Sequence, residues 1–314
     1  MPCGPNFPHT YLTSRVQAGI DQRTTPVGAL DGANAAVLVD GAAVGVRADG
    51  ERLRLALVPI PEPGSVYLGE SADGQSIWAL ENPDSAPADV QLLPARTAGP
   101  LLSEREANLA LAAVGMAAWH RDYRHCPACA APLAPEKDGW VLRCTAGHLQ
   151  FPRTDPAVIV AITDADDRLL LAHNRRSHTA MVSVLAGFVE PGEDFESALV
   201  REVFEEVGLV VTDPEYRGSQ PWPFPRSIMV GFRARVAPGV DADALVLQAE
   251  EITSARWYTR SQFRAARADG SLVIPDPASI ARALIDEWDA ADGERAAPVA
   301  GAGFSPDAEA EAGQ

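Results

Sequence analysis

Three glutamates, Glu202, Glu205 and Glu206, stand at i, i+3 and i+4 within the stretch GFVEPGEDFESALVREVFEEVGL, Gly187–Leu209. On a helix that spacing projects all three carboxylates from one side. Like charges so close repel one another. A hard divalent cation bound through oxygen, Mg²⁺ or Mn²⁺, relieves the repulsion; the competing reading is a solvated acidic face. A second group has different chemistry. Cys126-Pro-Ala-Cys129 is a CxxC knuckle, and Cys144 follows with His148 four positions later. Two such pairs make a closed S₃N shell of the kind that holds structural zinc. His148 is the weakest member, since the usual pattern ends in a second CxxC, and free thiols beside a surface histidine are the alternative.

These residues need elements to position them. Leu199, Val200, Val203 and Val207 fall on one arc of the box helix, with Phe204 beside them, and the glutamates fall on the opposite arc. Glu193 and Asp194 suit the helix N-terminus, and Gly208 is a left-handed stop. Ala157–Thr163 is an unbroken apolar run, expected to be a strand covered on both faces. Further strands are expected at Leu169–Ala172, Ser183–Ala186, Glu215–Ser219, Ser227–Val236 and Ser254–Tyr258, with a last helix over Pro277–Trp288. Ser183–Ala186 delivers the chain to the Gly187 turn. Upstream, Ala35–Val39, Val44–Val46, Leu53–Ile60, Ser65–Leu68 and Ser76–Leu80 read as strands, followed by a helix from Ser103 to Trp119 opened by a Ser103/Glu106 capping box.

The expected organisation is an α/β protein in four parts. Residues 1–119 form a β-rich α+β domain, 120–150 a zinc ribbon, 151–290 an α/β/α sandwich, and 291–314 a disordered acidic tail. About 30 residues cannot bury a useful core alone, so a metal would supply much of the ribbon's folding free energy. The formal charge of −17 argues against a broad phosphate-backbone-binding surface, though not against small anionic substrates. No apolar run approaches the roughly 20 residues of a membrane span, and the N-terminus has neither a basic nor an apolar signal region. Four cysteines, three of them clustered, suit a reducing cytoplasm better than a disulfide framework.

Gly187, Glu193, Arg201, Glu202, Val203, Glu205, Glu206, Gly208 and Leu209 fill every defined position of G-x5-E-x7-R-E-U-x-E-E-x-G-U, so the stretch resembles the Nudix box. Ten residues on comes Ser219-Gln220-Pro221-Trp222-Pro223-Phe224-Pro225-Arg226-Ser227. Its three prolines rule out a regular helix and predict a rigid extended loop, with Trp222 and Phe224 as flat walls for a planar ring. The whole SQPWPFPxS pattern, with a zinc ribbon ahead of the box, is similar to the NADH pyrophosphatase subgroup of Nudix hydrolases. The resemblance covers roughly residues 120–290.

That resemblance implies hydrolysis of NADH and NAD⁺ to AMP and nicotinamide mononucleotide, extending to removal of NAD caps from RNA 5′ ends. It implies Mg²⁺ or Mn²⁺ at Glu202 and Glu206, with Glu205 a further ligand or a base. The carbonyl of Ala186 and the carboxylate of Glu251 complete the metal site, with Glu250 as the fallback for Glu251. Arg201 is expected to pair with Glu193 and fix the turn on the helix. Phe151, Phe188, the run Gln220 to Ser227, Glu251 and Ala281 are the implied substrate contacts. A homodimer is implied, in which Phe151 and Ala281 act in trans. The remaining alternatives are a Nudix hydrolase of ADP-ribose or diadenosine polyphosphates, and a non-catalytic nucleotide sensor; the intact box and the proline loop argue against both.

Overall fold

A computed structural model describes residues 34–291, apart from 61–65, 71–75, 82, 83, 85 and 177–179. Ser65, where one strand was expected to begin, and nearly all of the expected tail lie outside the described residues.

Short apolar runs give seven strands: β1 Asn34–Asp40, β2 Ala43–Asp49, β3 Arg52–Leu55, β4 Leu57–Ile60, β5 Val66–Glu70, β6 Ser76–Leu80 and β7 Gln91–Pro94. They make one sheet in the order β3-β2-β1-β6-β5, with β4 on β1 and β7 on β2. The expected single run Leu53–Ile60 is two strands, because Ala56 turns its N–H to Gly45 at 2.9 Å while β3 pairs with β2 and β4 with β1. A short α1, Ala95–Ala98, precedes α2, Glu104–Asp122. The Ser103/Glu106 capping box is present, and Glu106 also accepts from the Leu55 N–H at 3.1 Å, tying the helix start to the sheet.

Three short strands, β8 Leu133–Glu136, β9 Val141–Cys144 and β10 Leu149–Gln150, form the ribbon in the order β10-β9-β8. Leu142 enters the core beneath α2, and Trp140 donates its indole N–H to the Tyr67 carbonyl at 2.7 Å.

The remaining strands are β11 Asp155–Thr163, β12 Leu169–Asn174, β13 Leu185–Phe188, β14 Val211–Trp222, β15 Ser227–Val236 and β16 Ile252–Tyr258. They order as β14-β15-β11-β12-β16, with β13 on β11. β11 lies parallel to β15 and antiparallel to β12 and β13. Its alternation explains the unbroken apolar run. Val158, Val160 and Ile162 pack beneath α3 (Phe195–Val207), against Ala198, Leu199, Val203 and Val207. Ile159 and Ala161 point the other way, to Leu284, Ile285 and Trp288 of α5 (Ile280–Ala290) and Phe263 of α4 (Arg260–Ala268). The result is a three-layer α/β/α sandwich. The helix α4 was not anticipated, although its signal is written in Thr259 and Gln262, which form a capping box. Among the described residues, no helix is long and apolar enough to cross a membrane.

Where α5 crosses the sheet the fit is close. A Cβ on Gly231 of β15 would lie 2.7 Å from Ile280 Cδ1 and 3.3 Å from the Gly218 carbonyl oxygen. Gly231→Ala should therefore cost about 1–3 kcal/mol in urea unfolding, as overpacking does. Trimming the obstructing methyl with Ile280→Val should lower that cost, and equal costs in both backgrounds would show that the α5 contact is not what excludes a side chain at Gly231.

Candidate active site

α3 begins where the Asp194 carboxylate accepts the Ser197 N–H at 2.7 Å and ends at Gly208, in the left-handed region with φ 73°. Its apolar stripe is Ala198, Leu199, Val203 and Val207, as the periodicity requires. Two positions depart from the expected amphipathic wheel. Phe204 is exposed, and Glu206 is buried at 2% exposure. Glu206 is covered by the segment before β16, which lies across the end of α3: Val246 and Gln248 donate backbone N–H groups to the carbonyls of Val207 and Glu206, both at 3.0 Å. The carboxylates do not form one solvated face. Glu205 stands half in solvent, whereas Glu202 and Glu206 are withdrawn from it.

Arg201 organises the cluster from the flank. It holds Glu193 through two bonds of 2.6 and 2.8 Å, Glu202 at 2.9 Å, Glu205 at 3.0 Å and the Phe188 carbonyl at 2.9 Å. The glycine turn is thereby clamped to the helix, and the guanidinium lowers the Glu193 carboxyl to about 2. Gly187 serves by lacking a side chain, since a Cβ there would lie 1.8 Å from Glu202 Cδ. The Glu202 carboxylate thus rests directly on the β13 backbone, one residue after Ala186, which pairs with Ile159 of β11.

Burial raises the Glu202 pKa despite Arg201. Glu206 has no such relief: burial first, then the charges of Glu202, Glu251 and Glu205, push it up to about 8. Its Oε2 has no hydrogen-bond partner. A buried oxygen in this state needs a proton or a cation. The all-oxygen donor set, with the Gly187 cradle beside it, fits a hard divalent ion. The charge acting on Glu206 from the distant segment is that of Glu251, not of Glu250. Glu251 is placed by its own backbone: its N–H donates to the Gln248 carbonyl at 3.0 Å and its carbonyl accepts from Arg175 at 2.7 Å.

The proline motif is a hairpin rather than a free loop. Ser219 to Trp222 belong to β14, the turn spans 223–226, and Ser227 starts β15 opposite Trp222. Strand pairing wins over the prolines because β14 is an edge strand. Both ends of the Gln220 amide are engaged: it donates to the Ala278 carbonyl at 3.1 Å and accepts from the Ile280 N–H at 2.6 Å. It anchors the start of α5, where Ala281 is buried in the core. Trp222 and Phe224 meet edge to face at 5.2 Å, and Phe224 packs against the N-terminal core. Pro225 follows a cis peptide bond. Arg226 reaches Asp155 at 2.9 Å and Asp122 of α2 at 3.4 Å. Pro221, Pro223, Arg226 and Ser227 line a cavity of about 370 Å³ with Trp119 and Trp140. Phe151 and Phe188 are both exposed at 59%.

Of the residues singled out in the sequence, Glu202, Glu205 and Glu251 are near enough for their charges to act on Glu206, and Glu202 lies against Gly187, the residue after Ala186, while Gln220 and Ala281 sit at the α5 side of the sheet. One residue escaped the sequence reading: Arg176, which reaches Glu251 at 3.5 Å from the turn after β12. No local pattern announces it.

The four zinc-type ligands also converge, with their donor atoms all within 4.8 Å of one another. Cys126 Sγ and Cys144 Sγ are each 3.5 Å from His148 Nδ1, and Cys129 Sγ is 3.6 Å from Cys144 Sγ. A tetrahedral zinc with bonds of about 2.3 Å to sulfur and 2.0 Å to nitrogen separates its ligands by about 3.5–3.8 Å. Burial raises the Cys144 thiol, but backbone hydrogen bonds, that of His148 foremost, and its thiol neighbours bring it down to about 7. His148 fills the fourth corner.

Comparison with known proteins gives two family matches: the NUDIX domain over residues 153–276 and the NADH pyrophosphatase zinc ribbon domain over 121–148. A protein of Mycobacterium bovis (strain BCG / Pasteur 1173P2) named NAD-capped RNA hydrolase NudC is 38% identical over 254 residues, covering 76% of this chain and 79% of that protein. Its namesake in Mycobacterium tuberculosis (strain ATCC 25618 / H37Rv) matches with the same identity and coverage. One from Citrobacter koseri is 38% identical over 175 residues, 55% of this chain and 63% of that protein.

The Glu206 environment sets a pH dependence. With a folded-state pKa of about 8 against an ordinary 4.5, the metal-free native state keeps a proton that the unfolded chain has lost. Stability is therefore greatest below that window and falls as pH rises through it. Metal-free protein should lose up to a few kcal/mol between about pH 5 and pH 8. Glu206→Gln should flatten that slope, and added Mn²⁺ should raise the melting temperature most at the alkaline end. An identical slope in the variant would mean that Glu206 does not carry the effect.

Proposed function

The chain belongs to the Nudix family, in the group whose Nudix domain follows an NADH pyrophosphatase zinc ribbon, and from that premise we propose how its residues act. The reaction is metal-dependent hydrolysis of the pyrophosphate of NADH and NAD⁺ to AMP and nicotinamide mononucleotide, which stays reduced when the substrate is NADH, and the same cleavage removes NAD caps from RNA 5′ ends. The observation that carries the reading is the buried, unpartnered Glu206 oxygen facing the charges of Glu202 and Glu251.

Glu202 and Glu206 would hold Mg²⁺ or Mn²⁺, with Glu251 and the Ala186 carbonyl as further ligands and Glu205 as a further ligand or base. Such ions, when bound, neutralise the phosphate oxygens and acidify the attacking water. Everything else falls to the chain's own groups. Gly187 gives Glu202 its place, and Arg201 keeps that carboxylate oriented without leaving its own partners. Glu205, half exposed, is the carboxylate with room to take a proton. Phe188, exposed beside the cluster, offers a face to one ring of the dinucleotide, with the Trp222–Phe224 pair as a further aromatic wall. Gln220 acts by fixing α5, and the exposed Phe151 contributes from a second subunit of a homodimer, whereas Ala281 of α5, buried in the core, supports the site without reaching substrate. Zinc in the Cys126, Cys129, Cys144 and His148 shell is structural, since no position in a four-ligand site is open to substrate. The thiols suit a reducing cytoplasm.

Incubating the protein with NADH, NAD⁺, ADP-ribose and NAD-capped RNA in Mg²⁺ or Mn²⁺ should yield AMP with reduced nicotinamide mononucleotide from NADH, AMP with nicotinamide mononucleotide from NAD⁺, and a 5′-monophosphate end from the RNA. Glu206→Gln should lower kcat at least about a hundredfold without unfolding the protein. Preferred turnover of ADP-ribose would point to the other substrate class. Metal analysis should find about one zinc per chain in the native protein, reduced in Cys126→Ser together with its melting temperature. A native protein without zinc would overturn the structural role.

A further inference from the structure

Two guanidiniums touch the carboxylate cluster among the described residues, and they are held in opposite ways. Arg201 spends Nε and both terminal nitrogens on Glu193, Glu202, Glu205 and the Phe188 carbonyl. It has nothing left for a substrate. The other, Arg176, is fixed at its root and loose at its head. Its backbone N–H donates to Asn174 Oδ1 at 2.9 Å, and its neighbour Arg175 donates from the backbone to the Glu251 carbonyl at 2.7 Å and from Nε to the Ala249 carbonyl at 2.8 Å. The Arg176 side chain is 82% exposed, and its contact with Glu251 Oε1 is 3.5 Å long.

Resting on the dinucleotide reading above, we propose that Arg176 is a substrate-phosphate residue, parked on Glu251 and passed to a phosphate oxygen when Glu251 takes up a cation. The charges require some such exchange. Once its carboxylate is committed to a divalent ion, Glu251 no longer attracts the guanidinium. The pyrophosphate brings anionic oxygens to the same cluster, and a planar fork of N–H donors matches their geometry. The double anchoring of residues 174–176 onto 249–251 keeps the reach of Arg176 constant while its head changes partner. An exposed pair of this length adds little to stability, so the position is free to serve binding.

The test separates phosphate recognition from a passive role beside Glu251. Calorimetry at saturating Mn²⁺ would compare AMP and nicotinamide mononucleotide with adenosine and nicotinamide riboside, for the wild type, Arg176→Ala and Arg176→Lys. The alanine variant should bind at least one of the two nucleotides about tenfold more weakly, the low end for a charge-assisted hydrogen bond, and both nucleosides unchanged. KM for NADH should rise by a similar factor with kcat within about twofold, and lysine should restore part of the loss. If Arg176 only neutralises Glu251, the variant will change Mn²⁺ affinity in the absence of nucleotide and leave nucleotide affinity at saturating Mn²⁺ intact. That result, or equal losses for nucleotide and nucleoside, overturns the assignment. Failure of the wild type to bind either nucleotide would instead overturn the dinucleotide reading on which it rests.

Discussion

The site depends on one electrostatic conflict, a glutamate buried among other glutamates. Glu206 is 2% exposed, carries a Oε2 without a partner, and faces the charges of Glu202, Glu251 and Glu205. Nothing in the apolar core requires an acid there, because Leu199, Val203 and Val207 already fill the stripe against β11. Burial of an uncompensated carboxylate opposes folding, so the surroundings must hold it by force. They do so from three directions: Arg201 pins the flank, the backbone of Val246 and Gln248 closes over the end of α3, and the bare Gly187 admits Glu202. On the function proposed above, the same unfavourable term is what a divalent cation would relieve.

How far that arrangement was legible in the sequence depends on range. Within one helix turn nearly everything was. The Ser103/Glu106 box, the Asp194 and Gly208 ends of α3 and the two-faced run of β11 follow from neighbours a few residues apart. Burial of Glu206 was not legible, because the covering segment arrives some 40 residues later and hydrogen-bonds through its backbone, which leaves no side-chain signature. The proline motif misled in a related way. Its prolines forbid a helix but tolerate an edge strand, and which of the two extended states forms is decided by β15 pairing alongside. Gln220 reads as a polar loop residue, yet its amide meets Ala278 and Ile280 from nearly 60 positions away.

The upstream units bear on the site through the hairpin. Arg226 bridges Asp155 of β11 and Asp122 at the end of α2, a Cβ added to Gly115 of α2 would come within 3.3 Å of Pro223, and Phe224 packs into the N-terminal core. The ribbon is tied to the same body, with Trp140 bonded to Tyr67 and Leu142 in that core. A metal that orders the ribbon therefore helps to hold the wall on which Trp222 stands, although it lies outside the reacting cluster. Hairpin geometry is not a local property of its prolines.

The two metal sites then differ in what their ligands lose on folding. In the ribbon, three cysteine sulfurs and an imidazole stand at the separations that a tetrahedral ion requires of its ligands. In the acidic cluster the carboxylates repel one another, and Arg176 and Arg201 offset part of that charge. Removing a cation from the ribbon loses folding free energy directly. On the function proposed above, removing it from the cluster would leave Glu206 to take up a proton, as burial and the neighbouring charges favour.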